Sequence, residues 1–134
     1  MGASGHDPRG LNSIERFGVP ILEGTFEQTP FLELLQGLSE ETATVLLYNG
    51  HTGLALQVEE GVLVYVSHQD RSCDPATAKE LLLEMAHSKT GTFRVFARTI
   101  PIKGVIHSLN WPLVRLVLWM RIVLDRRDRF SVKL

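Results

Sequence analysis

From about Asn110 to Arg127 the chain has the apolar spacing of a helix, but that spacing makes two stripes where a surface helix ordinarily makes one. At about 100° per residue, Leu113, Leu116, Val117, Met120, Val123 and Leu124 share one wide face, the usual pattern for packing on a core. Trp111, Val114, Leu118 and Ile122, at spacings of 3, 4 and 4, make a second stripe inside the arc that carries Arg115, Arg121 and Arg129. One small domain covers one such stripe easily. The other either packs beneath a further segment of the chain, for which Ile14 to Leu22 is available, or meets a partner. In the second case Trp111, Val114, Leu118 and Ile122 form the contact, most simply in a two-fold homodimer, and Arg115 and Arg121 flank it as a polar rim.

The rest of the composition bounds the choice. A chain of 134 residues, 44% hydrophobic and 22% charged, has room for one domain with one core. Fourteen Lys and Arg against fifteen Asp and Glu leave a net charge of −1, so no overall field recruits nucleic acid or an anionic membrane. The charge is uneven all the same. Acidic residues dominate from Ile14 to Glu60, whereas Arg115, Arg121, Arg126, Arg127, Arg129 and Lys133 collect at the C-terminus, where cations complement a helix dipole. The single cysteine, Cys73, excludes an internal disulfide and favours a reducing compartment. Residues 1–13 read as a flexible leader or an expression remnant without the apolar core of a signal peptide. The longest membrane candidate, Trp111 to Leu124, is too short and carries Arg115 and Arg121, so a cytoplasmic chain with no membrane span is expected.

Thr29 and Pro30 predict the start of a first helix, with a hydroxyl at the N-cap and proline at the first helical position, continued by Phe31, Leu32, Leu34, Leu35 and Leu38. Three apolar runs follow, Ala43 to Tyr48, Leu54 to Val58 and Val62 to Val66, and the glycine-bearing turns between them predict an antiparallel meander. Asp74 and Pro75 predict a second helix to about Ser88, ended by Gly91. From Thr92 to Thr99, Phe93, Val95 and Ala97 alternate with Arg94 and Arg98, the pattern of a half-exposed strand, and Ile102 to His107 bridges to the last helix. The expected fold is therefore α+β: a mainly antiparallel sheet of four to five strands. Helices near 30–38, 75–88 and 110–127 cover one face, and the other face is wet.

No residue set in this chain has the spacing of a catalytic or metal centre. His68, Asp70, Cys73 and Asp74 come nearest to a ligand cluster but contain no paired thiolates or paired histidines, so Asp74 reads as a helix cap and no metal is expected. Cys73 has only Arg71 nearby to stabilise a thiolate. Asn49-Gly50-His51-Thr52-Gly53 is followed by a strand and lacks a lysine, so it reads as a hairpin and not as a phosphate loop. Glu40-Glu41 and Glu59-Glu60 sit in solvated turns unsuited to tuned proton transfer. A non-enzymatic chain without a cofactor is the expectation.

Against this element order, several short segments stand out together: Glu23-Gly24-Thr25-Phe26, Pro30 to Gln36, Glu60-Gly61-Val62-Leu63-Val64, Ala78 to Leu82, and Gly91-Thr92-Phe93-Arg94-Val95. In that order they resemble the signposts of the bacterial PATAN-type domain, over about Leu22 to Phe130. The Val66-Ser67 pair and the Arg126-Arg127-Asp128-Arg129-Phe130 ending depart from the family pattern. The resemblance implies a strand at Glu23-Gly24 and an intracellular scaffolding role in bacterial signalling, beside receiver domains or small-GTPase systems. It implies no catalytic residues. Two functions stand at this point: a regulatory interaction module that dimerises or docks through the last helix, and a small-ligand or nucleotide sensor with a pocket between sheet and last helix. Direct nucleic-acid binding would rest on the C-terminal arginines alone.

Overall fold

The meander closes first because its turns demand it. A computed structural model describes residues 18–97 and 108–132, so the leader at 1–13, Arg98, and the bridge Ile102 to His107 lie outside the described residues. In chain order the elements are β1 (Leu22–Thr25), α1 (Phe31–Gly37), β2 (Ala43–Tyr48), β3 (Gly53–Glu59), β4 (Val62–His68), β5 (Arg71–Ser72), α2 (Pro75–His87), β6 (Thr92–Phe96), β7 (Trp111–Pro112) and α3 (Leu113–Val132). Glu60 and Gly61, at φ 49° and 78°, form the tight turn between β3 and β4, whose twist suits an antiparallel hairpin. The β2–β3 loop is held by Asn49, whose Oδ1 accepts the amides of His51 and Thr52 at 3.0 and 2.6 Å.

The sheet runs β1-β6-β2-β3-β4-β5, with β7 also on β4, and all its pairings are antiparallel. It has seven strands, more than the four to five expected, because β1, β5 and β7 are short edge pieces with little apolar signal of their own. Register sets the faces. Val45 lies opposite both Leu56 and Val95, and Leu56 opposite Val66, so these four make one fully buried row against the helices. Phe31, Leu34 and Leu35 of α1, Ala78, Leu82, Leu83 and Met85 of α2, and Leu113, Leu116, Val117 and Met120 of α3 close over it.

The second face is not the wet one expected. Phe96, Thr44, Gln57 and Tyr65 face one another in a single row across β6, β2, β3 and β4, and all four are buried. Phe96 is out of phase with Phe93 and Val95, so alternation puts it on the arginine side, where Arg94 pairs with Glu23 at 3.3 Å. Alternation assigns a residue to a face; it does not decide whether that face is covered.

Helix ends differ from expectation in ways the backbone explains. The first α1 bond runs from the Leu34 amide to the Pro30 carbonyl, so Pro30 is the N-cap and Thr29 lies outside the helix. Asp74 holds the N-cap position of α2 without a side-chain capping bond. Trp111 and Pro112 pair with Leu63 and Val62, which delays the start of α3 to Leu113, and the helix then runs past Arg127 to Val132.

Candidate interaction surface

Two main-chain anchors fix α3 on the sheet: the Leu113 amide donates to the Gly61 carbonyl at 2.8 Å, and the Leu109 amide to that of Val64 at 2.9 Å. With its start fixed and four residues buried, the rotation of the helix is set. Val114, Leu118 and Ile122 then point away from the core, 67%, 60% and 45% exposed. Val123 and Leu124 pack half-buried at the edge of the core. The covering of this stripe by the segment Ile14 to Leu22 does not occur: Ile21 and Leu22 lie on the β1 side, where the Ile21 amide donates to Val95 and Leu22 pairs with it.

The six expected interface residues separate into three kinds. Val114, Leu118 and Ile122 form a continuous exposed apolar row, with Arg115 exposed beside it. Arg121 is exposed too, and its Nη2 donates to Gln36 Oε1 of α1 at 3.0 Å, tying the two helices. Trp111 is not in the helix at all. It is half-buried on β7, and the Lys79 ammonium lies 5.5 Å from its ring centre and 5.3 Å from that of Trp119. The sequence signal that missed this is position: helical spacing was extended two residues beyond the true helix start.

The paired indoles clamp α2 to α3 through one cation. Each exposed cation–π contact contributes roughly 0.5–1 kcal/mol, so Lys79→Met, which keeps the apolar stem, should lower stability by about 1 kcal/mol. Thermal melts and a shift in tryptophan emission read this; unchanged melts and emission would show that the clamp contributes nothing.

The remaining chemistry-bearing residues are structural. Glu84 Oε2 accepts from Thr52 Oγ1 at 2.5 Å, and Asn49 Nδ2 donates to Ser88 Oγ at 2.8 Å, which fastens the β2–β3 loop to the end of α2. Sequence reasoning had no means of pairing residues this far apart. Among the described residues no three His, Cys, Asp or Glu side chains gather as metal ligands, and no helix is long and apolar enough to cross a membrane. Cys73 is buried, and burial pushes its thiol up, with the Asp74 carboxylate adding to the shift. The thiol stays protonated when folded, so alkylation by iodoacetamide near neutral pH should be at least about tenfold slower than in denaturant. The unfolded thiol ionises first as pH rises, so this group's contribution to stability declines through the alkaline range. Equal alkylation rates in both states would refute the burial.

Family models, curated proteins and solved structures give no match to this chain. What the surface offers therefore has to be read from its own geometry. A cleft of about 250 Å³ opens between β1, β6, β2 and the end of α1, lined by Ile21, Leu22, Leu38, Glu41, Ala43 and Val95 among others. It is not the space between sheet and last helix in which a sensor pocket was expected.

Proposed function

We propose that this chain is a non-enzymatic regulatory interaction module that self-associates as a two-fold homodimer through α3. The observation that carries the reading is the row Val114, Leu118 and Ile122, exposed on a helix whose opposite face is buried in the core. Large aliphatic side chains presented in a row at helical spacing suit helix-on-helix packing, and a helix meeting its own copy needs no second surface. Arg115 and Arg121 flank the row and form the polar rim, and Trp111 borders it while remaining clamped by Lys79.

The resemblance of the short segments to the PATAN-type domain supports a more specific setting. In that setting the module is bacterial and cytoplasmic, and it scaffolds a signalling system of the receiver-domain or small-GTPase kind. Sedimentation velocity over a concentration series tests the self-association directly. Twice the chain mass at the higher concentrations is expected. A monomer throughout would sink the proposal.

A further inference from the structure

The two edges of the sheet are treated differently. The outer edge of β4 is capped by main chain at both ends: Leu109 to Leu113 bonds to Gly61 and Val64, and Arg71 to Cys73 bonds along His68, Ser67 and Val66. At the other edge β1 pairs only with β6 among the described residues. Natural sheets cover, charge or bulge such an edge against unwanted pairing. Here the approach to it is apolar instead, with Val19, Ile21 and Leu22 80%, 65% and 49% exposed. Directly beneath lies the 250 Å³ cleft, whose floor is Leu22, Ala43 and Val95.

The charge around the cleft selects what fits it. From Gly18 to Gln69 the sequence holds seven glutamates and no lysine or arginine. The fold gathers four of them at one corner, because the Gly61 amide donates to the Glu41 carbonyl at 2.9 Å and the Glu60 amide to Thr42 Oγ1 at 3.0 Å. Glu40, Glu41, Glu59 and Glu60 thereby meet beside the cleft, which Glu41 itself lines. A second copy brought edge to edge would set Glu23 and Glu41 near their own equivalents, which is unfavourable for self-pairing.

We propose that the outer edge of β1 and this cleft bind an extended peptide segment in which apolar residues alternate with lysine or arginine. The peptide adds a strand to β1, its apolar side chains enter the cleft, and its cations face the glutamate corner. This site is separate from the α3 row and does not depend on it.

The probe is a labelled short peptide of alternating valine and lysine, titrated by fluorescence anisotropy. Comparators are the same peptide methylated on alternate backbone nitrogens and a valine–glutamate peptide. Saturable binding is expected for the lysine peptide, with each comparator weaker by about tenfold or more, since one loses its strand hydrogen bonds and the other its charge match. Ile21→Lys and Glu41→Lys change exposed side chains, so both variants should fold and each should weaken binding about tenfold, the factor for roughly 1.4 kcal/mol. The proposal is overturned by absence of saturable binding, by equal binding of the methylated peptide, or by unchanged affinity in Ile21→Lys. It is also overturned if Ile21→Lys dissociates a wild-type dimer that Leu118→Asp leaves intact, for then the edge belongs to a second copy.

Discussion

Leu118→Asp is expected to leave the chain monomeric at every concentration where the wild type is a dimer, with little change in thermal unfolding. In the monomer, position 118 is 60% exposed, so the new carboxylate sits in water and the change costs only a helix-propensity difference of roughly 0.5 kcal/mol. In a two-fold helix pair the same carboxylate lies at the centre of the contact, next to the partner's equivalent, with no cation inside the row. Truncating or charging such a central anchor costs about 3 kcal/mol, more than a hundredfold in affinity. Met120→Asp is the contrasting change. Met120 is wholly buried on the opposite face, and an unpaired charge there should unfold the domain outright. Sedimentation and circular-dichroism melts of the two variants separate the faces. A Leu118→Asp protein that unfolds as Met120→Asp does would show that the row is core.

The two faces of α3 were legible because helix geometry converts residue spacing directly into angle. The same holds for the meander, whose turn residues mark where each strand stops. What could not be read depends on contacts between distant segments. β5 and β7 have two residues each, too few for any periodicity, and exist because β4 offers an edge at each end. Trp111 follows from this. Its spacing suits a helix, yet pairing with Leu63 takes it into β7 and beneath Lys79. Phe96 was equally hidden, since an aromatic among arginines does not reveal that its face is covered. The cleft and the bare edge of β1 had no sequence signal either: Ile21 and Leu22 are ordinary apolar residues until the sheet order leaves them outermost.

Gly61→Ala should destabilise the domain far more than Gly50→Ala, although the two glycines share nearly the same backbone conformation. Their φ values are 78° and 87°, in the left-handed region, where a side chain costs roughly 1 kcal/mol at either position. Space distinguishes them. A methyl on Gly50 meets nothing within 4 Å, whereas one on Gly61 overlaps the Ser39 carbonyl, which is backbone and cannot swing aside. Relieving that overlap means moving the hairpin tip off the loop after α1, which breaks the bond from Gly61 to Glu41 and displaces the carbonyl that anchors Leu113. Overpacking of this kind costs about 1–3 kcal/mol beyond the strain. Each kcal/mol lowers Tm by roughly 4 °C in a domain of this size, so Gly61→Ala should melt more than about 8 °C below wild type and Gly50→Ala within about 5 °C. Because Gly61 sets where α3 begins, the damaged variant should also associate more weakly despite an intact Val114, Leu118 and Ile122. Equal melting of the two variants would mean that the hairpin tip does not bear on the α1 loop, and that α3 takes its position from the core alone.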